Sequence, residues 1–224
     1  MQVLEGVFRR IPGLRRLLRP EPFTGSKEYW ERRYVRGGTS GRGSYGELAR
    51  YKAEFLNEFV RTHGVHSVIE FGCGDGNQLS LGAYPEYIGL DVSKSAILRC
   101  RDRFREDTSK SFFLYDGEAF IDRRPLFRAD LALSLDVLFH LIEQAVWESY
   151  LRHLFSAAER FVICYSSDSD SPSREAHIRH RAFSGWVAMH FPDWHLVLTV
   201  SNPYPMSPDS RAGTFADFHV FARR

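Results

Sequence analysis

The chain is poor in sulfur: 224 residues hold only three cysteines, Cys73, Cys100 and Cys164, an odd number with no CxxC spacing. That scarcity argues against a disulfide framework or a zinc module and for a reducing, cytoplasmic setting. It also lacks a charge excess, since 30 basic and 28 acidic side chains leave +2. A nucleic-acid binder usually carries a marked basic excess or stripe, so no nucleic-acid partner is expected. No stretch approaches the roughly 18 apolar residues of a membrane span. Internal repeats and low-complexity segments are absent too. What remains, 43% apolar and 26% charged residues, is ordinary for a globular protein of one domain plus extensions.

The first twenty residues, MQVLEGVFRRIPGLRRLLRP, set five arginines against one glutamate, with Val3, Leu4, Val7, Phe8, Ile11, Leu14, Leu17 and Leu18 at roughly helical spacing. A basic amphipathic segment of this kind fits an anionic membrane surface or a partner protein. The plainer reading is a helical arm packed on its own domain and broken at Pro12-Gly13. Arginines interrupt the apolar run that a signal peptide would need. Residues 21–45 turn to aromatics, arginines and glycines, and GGTSGRGSYG reads as a loop or lid. The organisation expected is therefore an arm over 1–45 and a domain over 46–224.

Within that domain, strand-like and helix-like stretches alternate. ELARYKAEFLNEFVRTH carries a helical apolar stripe, HSVIEF is a short strand, and EYIGLDVS is a second. SKSAILRCRDRF is an amphipathic helix with Ser93 placed to cap it. SFFLYDGE and ADLALSLDVLFHL hold two more strands, ending at Asp116 and near Asp136. EQAVWESYLRHLFSAA is helical and RFVICYSS is a fifth strand. HLVLTVS and ADFHVFAR are separated only by a loop, which suits antiparallel pairing. The fold class expected is α/β: a Rossmann-like, doubly wound, seven-stranded, mostly parallel sheet with an antiparallel last strand, plus an N-terminal helical arm.

Ligands of doubly wound sheets bind at the carboxyl ends of the strands. Acids fall there in order: Glu70, Asp91, Asp116 and Asp136. After Glu70 comes a turn with Gly72, Gly74 and Gly76, where the backbone can approach a ligand without Cβ atoms in the way. Asp91 lies where an acid can accept both hydroxyls of an adenosine ribose. A dinucleotide turn, GxGxxG, would need glycine where Asn77 stands, and Asp75 would repel a pyrophosphate. Asp75 would welcome a ligand carrying ammonium and sulfonium charge. The acids therefore favour S-adenosylmethionine over NAD, and no TyrxxxLys pair follows the fourth strand to support a reductase.

VIEFGCGDGNQL, YIGLDVS, FFLYDGEAF and ADLALSLDVLFHLIE together resemble the successive motifs of class I S-adenosylmethionine-dependent methyltransferases, over roughly residues 45–165. The resemblance implies that the 72–76 turn lies under the methionine moiety, that Asp91 holds the ribose, and that Asp116 with Gly117 faces the adenine. Leu135 and Asp136 would flank the transferring methyl. The cofactor set it implies is Tyr45, Glu70, Gly72, Cys73, Gly74, Asp75, Gly76, Asn77, Asp91, Val92, Asp116, Gly117 and Leu135, with no metal.

Transfer of an activated methyl needs alignment of the acceptor and exclusion of water more than covalent help. For a hydroxyl acceptor a general base would add to the rate. His140, one turn beyond Asp136, is the candidate, with an orienting or packing histidine as the alternative. Trp30, Arg33 and Tyr34 of the arm, with His177, His180 and Arg181 after the fifth strand, are candidate contacts to a small or saccharide-like acceptor. A solvated basic face is the alternative for the latter group. HxxH over His177 and His180 is too sparse for a metal site. Protein or other macromolecular acceptors stay open, and an NAD(P)-dependent oxidoreductase is the remaining rival. The expected location is cytoplasmic, with peripheral contact at the inner face of a membrane if residues 1–20 bind lipid. Flotation with anionic vesicles tests that contact: the full chain should float and a chain lacking residues 1–20 should not.

Overall fold

The computed structural model describes residues 23–173, 175–206 and 213–224; the basic segment 1–20 and Arg174 lie outside them. The chain enters through α1 (Ser26–Val35) and α2 (Gly46–Thr62), then alternates β1 (Ser67–Phe71), β2 (Glu86–Asp91), α3 (Lys94–Arg103), β3 (Lys110–Leu114) and β4 (Ala129–Leu135). It continues with α4 (Gln144–Ala157), β5 (Ala158–Ser166), α5 (Phe183–His190), β6 (Trp194–Val200) and β7 (Asp217–Arg223). The strands form one seven-stranded sheet in the order β3-β2-β1-β4-β5-β7-β6. β7 runs antiparallel to both β5 and β6, and the other neighbours pair parallel. This is the doubly wound architecture expected from the alternation. The order reverses between β1 and β4, where such sheets open a crevice.

Alternation along β1 sends Val68 and Ile69 to opposite faces of the sheet. Val68 joins Leu56, Phe59 and Val60 of α2 and Cys100 of α3 in one buried cluster. Ile69 and Phe71 join Trp147, Tyr150, Leu151 and Leu154 of α4 and Phe183 and Val187 of α5 in the other. Burying side chains of this size contributes about 1.5–3 kcal/mol each, so the two layers hold the strand ends rigidly.

Local signals account for the boundaries. Ser93 caps α3 by accepting the Ala96 N–H (3.1 Å), and its hydroxyl donates to Glu31 Oε2 (2.6 Å). β3 stops at Leu114, two residues short of the expected end at Asp116, because the chain turns there: the Asp116 carbonyl accepts from the Ala119 and Phe120 N–H groups. The glycine-rich stretch 37–44 is a loop with one turn of 3₁₀ helix at Arg42–Ser44. The segment from Glu175 to Ala182 forms turns, not a basic helix, and α5 begins only at Phe183.

Because Ser93 closes a helix end and also anchors Glu31, Ser93→Ala should cost about 1–2 kcal/mol. Urea unfolding should show a lower midpoint with an unchanged slope.

Candidate active site

β1 ends in Glu70 and Phe71, and the chain then turns through Gly72, Gly74 and Gly76 at φ 84°, 60° and 74°. Those left-handed values suit glycine, and space forbids anything else: a Cβ on Gly72 would lie 2.5 Å from Val137 Cγ2, and one on Gly74 would collide with Ser40 Oγ. The turn hangs from β2 through Gly72 and Cys73 N–H donation to the Leu90 carbonyl (2.7 and 3.1 Å). Asp91, buried, accepts the Gly74 N–H on Oδ2 and the Ser93 N–H on Oδ1, both at 2.8 Å. Burial pushes its carboxyl up to about 6, against the lowering effect of these two bonds.

Glu70 is buried beside α2 and accepts from the Tyr87 hydroxyl (2.6 Å). Burial raises its carboxyl to about 7; Tyr87 and the Lys52 ammonium oppose the rise, while Asp91 and Asp136 add to it. Asp136 follows β4 at φ 59°, a conformation aspartate tolerates better than most residues. Its Oδ2 accepts from Lys52 Nζ at 2.5 Å.

These groups line one cavity of about 750 Å³, a size typical of small-molecule sites. Of the residues expected to serve a cofactor, it brings together Glu70, Gly72, Cys73, Gly74, Asp91, Val92, Asp116, Gly117 and Leu135; Asp136 and His140 lie on the same wall, and Trp30 and Tyr34 come from α1. Tyr45, Asp75, Gly76 and Asn77 are outside the lining. The charge argument for Asp75 is corrected accordingly. Its carboxylate accepts from the Ser40 N–H (3.0 Å), the Tyr45 hydroxyl (2.8 Å) and the Asn77 N–H (3.1 Å). It ties the arm to the turn and does not face the cavity. Burial favours its neutral form, and those three bonds outweigh that and hold it below the usual range.

Arm residues Thr24 to Glu28, Trp30, Tyr34, Ser40 and Ser44 line the cavity, and the arm is fastened to the domain on two sides. Glu31 accepts from the Ser93 and Ser95 hydroxyls, and Arg99 donates to the Tyr34 and Gly38 carbonyls (both 2.6 Å). Lys27 reaches Asp116 at 2.8 Å in an exposed pair. On the far side, the Ser26 hydroxyl lies 2.6 Å from Glu143 Oε2 and 2.8 Å from the His140 carbonyl.

His140 sits on a 3₁₀ turn, Leu138–His140. Its Nδ1 is 2.9 Å from the His177 carbonyl; a carbonyl only accepts, so Nδ1 carries the proton and Nε2 the lone pair. Burial lowers its pKa to about 4, so the ring is neutral at pH 7. His177 stacks on Tyr29 and on His140 (5.0 and 5.5 Å between ring centres), and Trp30 meets His140 edge-on.

Three of the expected acceptor contacts have other partners. Arg181 donates to the Leu141 and Ile142 carbonyls (2.7 Å each) and to Gln144, so its fork braces the turn carrying His140. His180 Nδ1 lies 2.7 Å from Ser167 Oγ, and Arg33 Nε donates to the Thr39 carbonyl. None of these, nor His177, lines the cavity. Lys52, Glu31 and Ser40 went unread in the sequence. Lys52 did leave a signal, standing at helical spacing between Leu48 and Leu56 on an otherwise apolar stripe. Among the described residues no group of three or more His, Cys, Asp or Glu side chains could hold a metal.

A family model for a methyltransferase domain matches residues 69–160. A small RNA 2'-O-methyltransferase of Arabidopsis thaliana is 28% identical over 112 residues, which are 45% of this chain and 12% of that protein; the chain thus spans a small part of that curated relative. Among solved structures, the methyltransferase domain of bacterial CtHen1 aligns over 79% of this chain and 99% of its own (TM-score 0.61, 21% identity). The N-methyltransferase NodS of Bradyrhizobium japonicum WM9, solved with S-adenosyl-L-homocysteine, aligns over 89% and 98% (TM-score 0.68, 16% identity). Magnesium protoporphyrin IX methyltransferase of Synechocystis PCC 6803 aligns over 92% and 100% (TM-score 0.63, 16% identity). The structural likenesses, at these identities, establish a shared methyltransferase fold. Together with the matched segment, they are consistent with a class I S-adenosylmethionine-dependent methyltransferase.

The cavity fits that cofactor. A buried carboxyl group, Asp91, stands beside a turn whose backbone is bare of Cβ atoms, and Glu70, Asp91 and Asp136 would face a cationic ligand in the cavity, with the Lys52 ammonium behind Asp136.

Because the folded protein holds Glu70 protonated to higher pH than an unfolded chain would, ligand-free stability should fall as pH rises from about 4.5 to 7. Glu70→Gln keeps the Tyr87 bond and removes that dependence. Melting curves between pH 5 and 8 should fall less steeply for the variant, which should be the more stable protein at pH 8.

Proposed function

We propose that the chain transfers the methyl group of S-adenosylmethionine to a hydroxyl of a small-molecule or saccharide-like acceptor. The observation that carries this is the neutral His140: its Nδ1 proton is pinned to the His177 carbonyl, and it shares the cavity with Leu135, Asp136 and the glycine turn. In this reading Asp91 holds the ribose and the 72–74 backbone supports the methionine moiety. The cofactor supplies a methyl already activated by its sulfonium. As the new O–CH₃ bond forms and the S–CH₃ bond breaks, the acceptor hydroxyl becomes strongly acidic. Nε2 of His140 accepts its proton and passes it to water. A group with a pKa of about 4 is a weak base towards a free alcohol but sufficient towards an oxygen that is losing charge to a methyl. His140 therefore aligns the hydroxyl first and takes its proton late.

Trp30 and residues 24–28 of the arm line the cavity, which suits a ring bearing hydroxyls. In this reading the aromatic and glycine-rich part of the arm 1–45 is the lid of the domain 46–224. Its tethers through Glu31, Arg99 and Asp75 exclude water during transfer.

A ribose hydroxyl of an RNA is the second reading, supported by the stated function of the Arabidopsis relative. It shares the chemistry and differs in the partner. Transfer of a labelled methyl to saccharide acceptors or to RNA oligonucleotides separates the two.

His140→Ala should lower kcat about 10–100-fold and leave the dissociation constant of S-adenosylmethionine within about twofold, a modest share of general-base effects. Because His140 is neutral above about pH 4, the wild-type kcat should show no inflection from this group between pH 5 and 8. An equal loss of cofactor binding in the variant would assign His140 to the fold instead.

A further inference from the structure

Lys52 is the buried charge in α2 that the proposed reaction leaves unused. Its side chain is 0% exposed, a state lysine rarely adopts without a partner, because an unpaired buried ammonium is costly. Nζ donates to Asp136 Oδ2 at 2.5 Å and lies over the Tyr165 ring at 5.2 Å from its centre. Asp136, whose side chain is 18% exposed, is the cavity end of this pair. It has left-handed backbone, and its N–H is fixed on the Tyr165 carbonyl (2.9 Å). The next residue, Val137, packs against Gly72 of the glycine turn.

We propose that Lys52 is a positioning residue that sets the charge of the cavity floor, and so the preference of this site for the cationic methyl donor over its neutral product. Glu70, Asp91 and Asp136 line the cavity, and Lys52 is the ammonium paired with Asp136 from outside it. S-Adenosylmethionine bears a sulfonium, an ammonium and a carboxylate, a net +1; S-adenosylhomocysteine has lost the sulfonium charge and is net neutral. Every uncompensated carboxylate on the floor favours the first over the second, because the two ligands differ by one charge in otherwise the same place. Lys52 offsets part of that bias from behind Asp136 without entering the cavity, which keeps the product from being outcompeted on charge alone. Packing, by contrast, acts on both nucleosides alike and cancels from their ratio.

This inference rests on the cofactor reading above, and titration calorimetry with both nucleosides separates their failures. In Lys52→Met the floor loses its cation, and the ratio Kd(product)/Kd(donor) should rise about threefold or more. In Asp136→Asn the floor loses an anion while asparagine keeps the left-handed backbone, and the ratio should fall by a similar factor. Lys52→Arg should keep the wild-type ratio within about twofold. If Lys52→Met does not fold, Asp136→Asn and Lys52→Arg decide. Unmoved ratios, or ratios moving the opposite way, overturn the inference while both nucleosides still bind. If the wild type binds neither nucleoside, the cofactor reading falls and the inference with it.

Discussion

Three carboxyl groups, Glu70 and Asp91 buried and Asp136 partly exposed, meet at the carboxyl edge of one sheet, and the rest of the site is arranged around keeping them there. Carboxylates gathered in this way favour a cation in the space between them. Each is restrained differently. Tyr87 donates to Glu70, two backbone N–H groups hold Asp91, and a buried lysine pairs with Asp136. Strand order then determines where they meet: β1 lies between β2 and β4, so the ends of all three strands border one crevice.

The acceptor side is built on a different principle. The turn carrying His140 sends Leu138 and Leu141 into one core cluster and Phe139 into the other, and its backbone is gripped from two directions. From after β5 come the His177 carbonyl, the Arg179 N–H to the Phe139 carbonyl, and the Arg181 fork. From the arm comes Ser26, bonded to the His140 carbonyl and to the Ile142 N–H. The basic residues after β5 thus act by fixing the turn's backbone, and the arm fixes it from the other side through Ser26.

Much of this was legible in the sequence because the signals are local. A strand-length apolar run ending in an acid and a glycine turn places β1, and acids at successive strand ends place the crevice. The final loop between two apolar runs announces the antiparallel β7. Where the reading failed, the cause was tertiary. Asp75 looked like cavity charge because its neighbours in sequence line the cavity; its direction is set by Ser40 and Tyr45, some 30 residues away. Arg181 looked like a contact to a small or saccharide-like acceptor, but its partners are carbonyls of a turn 40 residues earlier. Lys52 sat in the apolar stripe of α2, a break in pattern whose meaning depends on Asp136, 84 residues on. β3 ended early because a turn at Asp116 captured the backbone.

The central claim is that this crevice is made for a positively charged sulfur nucleoside and not for a pyrophosphate. Calorimetric titration of the full chain with S-adenosylmethionine, S-adenosylhomocysteine and NAD tests it most directly. The account predicts saturable binding of both sulfur nucleosides at a stoichiometry near one, and none of NAD at comparable concentration. Binding of NAD with neither sulfur nucleoside would contradict it.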